Sequence, residues 1–174
     1  DLLCYNDNNG LFNPIVTGGV VDYTYAWTGP AGYTSTTANI SGLAGGTYQL
    51  TVTDAVNCPS VLSQELIEPK ELITNELTIE AANCNGESSG EIFVEAAQGT
   101  PNYQYYLDGV ESPTGIFSNL APKDYALRIV DANSCVFEQN VTVTEPGEIG
   151  FLIEDIVLPT CKNINDGIVR ITPY

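Results

Sequence analysis

Five cysteines offer most of the chemistry available to this chain: Cys4, Cys58, Cys84, Cys135 and Cys161. The chain contains no histidine, so no Ser-His, Cys-His or His-metal arrangement can form within it. The cysteine spacings are 54, 26, 51 and 26 residues, with no Cys-x2-Cys pair. Zinc sites favour closely spaced ligand pairs, so disulfides of a secreted protein are the expected use. The second chemical candidates are Asp54 and Asp131, each at a strand end among other oxygen-bearing side chains. Such acidic turns can supply the oxygens that calcium takes. An aspartate in a turn more often caps its own backbone, and Asp7-Asn8-Asn9-Gly10 lacks calcium-loop spacing. Structural capping is therefore the expected role, with Asp54 and Asp131 as weak metal candidates. No Asp or Glu pair stands out as an acid and its base, and no catalytic residues are expected.

These residues sit in a repeated phrase. Residues 46–58 alternate Tyr48, Leu50 and Val52 with Gln49, Thr51 and Thr53, then turn through Asp54 and Asn57 to Cys58. Alternation of that period is the mark of a half-buried strand. Tyr48, Asp54 and Cys58 recur 77 residues later as Tyr125, Asp131 and Cys135. Cys4, Gly10, Tyr23 and Tyr25 recur 80 residues later as Cys84, Gly90, Tyr103 and Tyr105, and Cys84 and Gly90 recur as Cys161 and Gly167. Glu68-Pro69 returns as Glu145-Pro146. The spacing predicts a first unit at 1–69 with its first strand truncated, a complete second unit at 70–146 and the opening of a third at 147–174. The extra length of the first unit falls in or near 28–41.

In the second unit, strands are expected at 77–81, 92–96, 103–107, 116–120, 125–130 and 136–144, with Asp108-Gly109 as a tight turn. Short alternating strands with no helical stretch indicate an all-β fold of tandem antiparallel sandwiches. Pro14 should make its strand an edge or a bulge. Trp27, in the place of Leu107, should anchor a core. Tyr23, Tyr25 and Trp27 share one strand face, as do Tyr103, Tyr105 and Leu107, so most of these aromatics are expected inside. Tyr33 and Tyr106 are the better candidates for exposure. Strands at 151–158 and 168–172 cannot bury a core alone; truncation of a longer polypeptide is expected over completion of a neighbouring chain.

The net charge is −17, from 22 acidic and 5 basic side chains. Binding to a phosphate backbone needs the opposite balance, which argues against nucleic acid and anionic membrane surfaces. The 43% hydrophobic content is enough for packed cores, so the acidity does not mean disorder. No apolar run approaches the roughly 20 residues of a membrane helix, and no direct membrane insertion is expected.

The ordered motifs resemble a known family. They are Cys4-x5-Gly10, Tyr23-x-Tyr25-x-Trp27, the stretch 42–58 and Glu68-Pro69, and together they look like the SprB-type repeat of large Bacteroidetes surface proteins, including the gliding-motility adhesin. The second unit departs at Leu107 and at 121–124. The resemblance implies an immunoglobulin-like fold, extracellular display on the cell surface and type IX secretion. It also implies partners: neighbouring repeats of the same chain, with surface polysaccharide or outer-membrane motility machinery beyond them. It implies no catalytic residues. The sequons at Asn39 and Asn140 are not expected to be used in a bacterial protein.

Two disulfide pairings stay open. Pairing within units joins Cys4 to Cys58 and Cys84 to Cys135, leaving Cys161 single. In an immunoglobulin-like order, however, the turns that carry Cys84 and Cys135 lie at opposite ends of a domain, beyond the ~7 Å Cα limit of a disulfide. Cys4 would then face Cys135 across the junction. The expected function is a structural and adhesive repeat segment of a surface adhesin or filament. The alternatives are a carbohydrate-binding sandwich, and a self-assembling filament completed by strand exchange.

Overall fold

The computed structural model describes residues 1–173. In chain order the strands are β1 (Gly10–Phe12), β2 (Thr24–Thr28), β3 (Thr34–Ser35), β4 (Ile40–Leu43), β5 (Gly46–Thr53), β6 (Pro59–Leu66), β7 (Ile73–Glu80) and β8 (Gly90–Ala97). They continue as β9 (Gln104–Leu107), β10 (Val110–Ser112), β11 (Ile116–Leu120), β12 (Lys123–Val130), β13 (Val136–Val143), β14 (Phe151–Val157) and β15 (Ile168–Pro173). A 3-10 turn at Pro30–Gly32 is the helical element among the described residues; it lies where the first unit was expected to carry its extra length.

The second unit is a sandwich of a three-stranded sheet, β11-β8-β7, and a four-stranded sheet, β10-β9-β12-β13, all antiparallel. This strand order is immunoglobulin-like: the first, second and fifth strands form one sheet and the rest form the other. The first unit repeats the four-stranded sheet as β3-β2-β5-β6 but has only β1-β4 opposite. Each unit has its own core. In the second, Ile92 and Val94 of β8 meet Leu127 and Ile129 of β12. In the first, Trp27, Leu43, Tyr48 and Leu50 pack with Leu2, Ile40 and Leu66. Alternation explains this, because period-two side chains place every second residue of a strand on the inner face.

Tyr48 and Tyr125 each close a corner of the sandwich. Their hydroxyls donate to the carbonyls of Ala44 and Ala121, four residues upstream, at 3.0 and 2.9 Å. This is the tyrosine-corner device of immunoglobulin-like sandwiches, which satisfies a buried phenol without opening the core. Trp27 is buried as expected, with Phe12 stacked 5.8 Å away and its indole N–H donated to the Thr37 carbonyl. β1 ends at Phe12, two residues before Pro14, and its register shifts between Gly10 and Leu11. A proline has no N–H for a sheet ladder, so the counterpart of the eight-residue β8 shrinks to three residues.

The structure adds a strand that the sequence reading left out. Asp108 and Gly109 both have positive φ, 48° and 81°, as a two-residue hairpin turn requires. The chain then returns as β10, pairing Val110 with Leu107. In the first unit a longer connection, with Ala31 also at positive φ, joins the paired residues Thr28 and Thr34. Tyr33, expected to be exposed, is instead half-buried by its edge-on contact with Tyr48 at 5.5 Å. Tyr106 is also half-buried, beneath the Arg128 guanidinium.

Gly10 and Gly90 explain part of the Cys-x5-Gly motif. A Cβ on Gly90 would strike the Val143 side chain and come within 3.1 Å of the Leu120 carbonyl; on Gly10 it would strike Leu66 and approach the Leu43 carbonyl. Both glycines let the two sheets close at the same point. Gly90→Ala should destabilise the second unit by about 1–3 kcal/mol, the usual cost of overpacking. Because Trp27 is the sole tryptophan and lies in the first unit, its fluorescence transition should hold in denaturant while the circular dichroism transition of the second unit moves to lower concentration.

Candidate functional site

The site is the seam between the units, and it is built from turns that each unit repeats. In the second unit Asp131 ends β12 and is almost fully buried. Its Oδ1 accepts the backbone N–H groups of Asn133 and Cys135 at 2.8 and 2.9 Å, and its Oδ2 accepts that of Thr100 at 2.8 Å. The Ala132 N–H donates to the Thr100 carbonyl. One carboxylate thus ties the β12–β13 turn to the loop after β8. Asp54 does the same in the first unit, with N–H donors from Val56, Cys58 and Val20 at 3.0, 2.8 and 3.1 Å. In both units a positive-φ residue, Asn57 or Ser134, precedes the cysteine.

The Cys4 turn is repeated as closely. Asp7 donates its N–H to the Cys4 carbonyl, Glu87 to that of Cys84 and Ile164 to that of Cys161. Asn6, Gly86 and Asn163 hold the same left-handed position, at φ 62°, 77° and 70°. The glutamate of each Glu-Pro pair closes its turn: Glu68 Oε1 accepts the Asn6 N–H, and Glu145 Oε2 accepts the Gly86 N–H, each at 2.5 Å. In the sequence, Glu-Pro marks only the end of each unit. Its recurrence in each unit alongside the Cys-x5-Gly turn was the available signal of this second role.

The two kinds of turn meet at the junction. Cys4 of the first unit and Cys135 of the second form a disulfide, with Cα atoms 5.5 Å apart. Asn133 Nδ2 bridges the seam by donating to the Leu3 carbonyl at 3.1 Å and to Thr100 Oγ1 at 2.9 Å. The Gly99 N–H donates to the Lys70 carbonyl of the linker. Leu72, 6% exposed, joins the second core. A cleft of about 490 Å³ runs along the seam between Cys4, Tyr5, Pro69 and Lys70 on one side and Val136 and Phe137 on the other.

The pairings within units, Cys4 with Cys58 and Cys84 with Cys135, are not formed. Cys4 and Cys135 are joined to each other, and Cys58, Cys84 and Cys161 are free and exposed. The reason is geometric, since one cysteine class lies at the far pole of its unit and the other at the near pole of the next. Asp54 and Asp131, the weak calcium candidates, direct their oxygens at backbone amides. No group of three or more His, Cys, Asp or Glu side chains suited to a metal gathers among the described residues. The tyrosines meant for the interior are likewise committed: Tyr23 donates to the Gly18 carbonyl, Tyr103 donates to that of Gln98, and Tyr105 accepts the Ala96 N–H.

The N–H groups of Cys58 and then Val20 and Val56 hold the Asp54 carboxyl below its ordinary range. A depressed folded-state value means stability that is present above the ordinary aspartate pKa of about 3.9 and lost as pH falls through the lower folded value. Asp54→Asn offers one acceptor oxygen for three amides. It should lower the melting temperature of the first unit at neutral pH and flatten its dependence on pH below about 4, as followed by Trp27 fluorescence. Cys135→Ser should lower the melting transitions, because the bond closes a 131-residue loop that contains the first core and most of the second and its loss frees the unfolded chain. It should widen the distribution of inter-unit distances in small-angle X-ray scattering.

Residues 77–112 match the family model of the SprB repeat. The matched stretch runs from within β7 to the end of β10 and contains Cys84, Gly90, Tyr103 and Tyr105. Among solved structures the chain is similar to the amphioxus IgVJ-C2 molecule, at 13% identity and a TM-score of 0.35, over 81% of this chain and 99% of that one. None of the curated proteins searched matches the chain.

Proposed function

We propose that this chain is a run of structural modules from a cell-surface adhesive protein, in which each unit is a stiff spacer clamped to the next. The observation that carries this reading is the Cys4–Cys135 bond, which joins repeated turns across the seam and not within a unit. The SprB repeat match supports it, because such repeats occur in cell-surface adhesins. A lasting disulfide also fits an oxidising, extracellular setting. The excess of 22 acidic over 5 basic side chains would keep closely set copies apart and soluble.

In this reading the modules do no catalysis. They hold an adhesive region away from the cell, or touch surface polysaccharide or outer-membrane motility machinery weakly at many points. Repetition makes weak single contacts sufficient. Export by the type IX route and service in gliding are the finer forms of the same proposal. An antibody raised against residues 1–174 should label intact, unpermeabilised cells of the source organism, and external protease should remove the signal. Labelling only after lysis would overturn the reading. Arrest of gliding by the same antibody would separate a motility role from simple display.

A further inference from the structure

The outer face of the four-stranded sheet differs between the units where the inner face does not. On the inner face, Tyr105, Leu127 and Ile129 of the second unit stand where Tyr25, Leu50 and Val52 stand in the first, and both sets pack in a core. On the outer face the register sets side chains in rows, one from each of three neighbouring strands. One row of the second unit is Tyr106, Arg128 and Glu138, and the next is Asp108, Ala126 and Asn140. The corresponding rows of the first unit are Ala26, Thr51 and Val61, then Thr28, Gln49 and Ser63. Those hold no charge and no aromatic ring. The scaffold is repeated and its outward chemistry is not.

The two rows of the second unit line a cleft of about 470 Å³, within the range of about 300–1,000 Å³ usual for small-ligand sites. The small Ala126 leaves room between Asp108 and Asn140. Asp108 is held in place, accepting the Lys123 ammonium at 2.6 Å and the Ala126 N–H at 2.9 Å. Arg128 Nε lies 3.5 Å from Glu138 Oε1, beyond ordinary hydrogen-bond length, so both groups keep capacity for a ligand. The Arg128 guanidinium also stands 5.7 Å from the Tyr106 ring centroid, near the outer limit of cation–π contact, and the ring stays half-open to the cleft. Every lining residue comes from β9, β12, β13 or the β9–β10 turn, so the cleft does not depend on what precedes or follows that unit.

Charge narrows the ligand. Lys123 and Arg128 are two of the chain's five basic residues, and here they are matched by Asp108 and Glu138. The net charge of −17 repels anions from the chain as a whole, and the balanced cleft gives a cation no excess of negative charge. A neutral ligand rich in hydroxyls suits what remains. Its hydroxyls donate to Glu138 and Asp108, accept from Arg128, and do both with the Asn140 amide. The polarised C–H bonds on one face of a pyranose meet the negative face of the Tyr106 ring. We propose that this outer face of the second unit binds a neutral sugar ring of a surface polysaccharide. The proposal deepens the adhesive reading above and rests on it.

The test titrates the isotope-labelled 174-residue chain with neutral hexasaccharides of glucose, mannose, galactose and N-acetylglucosamine, and with hexagalacturonate as the anionic counterpart. Amide shifts in nuclear magnetic resonance report the site. At least one neutral sugar should move the amides of Tyr106, Arg128, Glu138 and Asn140 at millimolar concentration and leave those of Ala26, Thr51 and Val61 in place. Tyr106→Ala should weaken that binding roughly tenfold or more, and Tyr106→Phe, which keeps the ring, should stay within about twofold of the parent. Glu138→Gln should cost about three- to tenfold, the worth of one hydrogen bond to a charged acceptor. These side chains face away from the core, so the variants should keep the parent's circular dichroism. No shift with any neutral sugar, shifts confined to other surfaces, or tighter binding of hexagalacturonate overturns the proposal. Surface labelling of cells without sugar binding fails this inference alone. Labelling only after lysis fails the adhesive reading, whatever the titration shows.

Discussion

A single carboxylate that accepts several backbone amides, Asp54 in the first module and the buried Asp131 in the second, holds the pole of each module together. Asp131 spans the β12–β13 turn and the loop after β8, so two segments about thirty residues apart in sequence become one rigid surface. Those amides would otherwise be unpaired at the rim of a core, at a cost of about 1–3 kcal/mol each. The cage also aims the cysteine. Cys135 donates its own N–H to Asp131 Oδ1, so its sulfur is presented at a fixed place. The seam, the disulfide and the seat for Leu72 all follow from that one anchored turn.

The contrast between the units shows what the arrangement requires. Each has the caged aspartate, the tyrosine corner and the glutamate-closed cysteine turn. In the second, β7 precedes the cysteine turn and the linker Leu72 enters the core. The first unit adds aromatic bulk to its interior, Phe12 on Trp27 and Tyr33 against Tyr48. That cluster lies beside the shortened β1. A bulky indole with its N–H tied to Thr37 fills space that the second unit gives to Leu107 and the neighbouring strands.

Much of this was legible in the residues. Alternation located β8, β9, β11, β12 and β13 within two or three residues, because each has one face in a core and one in water. Recurrence of Cys, Gly, Tyr and Asp at set distances marked the modules before any strand was assigned. The pairing of the cysteines was not legible from spacing, since 54 and 51 residues within a unit look as reasonable as 131 across two. Only strand order places the turns at opposite poles. β10 was missed because three residues after a tight turn carry too little pattern. Tyr33 was misjudged because its burial depends on Tyr48, a partner from another strand that local periodicity cannot supply. Glu68 and Glu145 looked like unit boundaries, and their contacts to Asn6 and Gly86 become visible only when the chain has doubled back.

The seam bond also decides which parts of the polypeptide feel tension. A pull applied at the two ends travels from residue 1 to Cys4, crosses the sulfur bridge to Cys135 and continues toward residue 174. The 131-residue span between the two cysteines lies in a side loop outside that route. Drawn out, that span would reach roughly 430–470 Å at full extension, and while the bridge stands none of it can be recruited. The first module and most of the second are thus insulated from stretching by one covalent shortcut. Such a tether yields very little length under load, and a reducing agent would hand the force to the two folded modules, each of which gives up its length only as its own core opens.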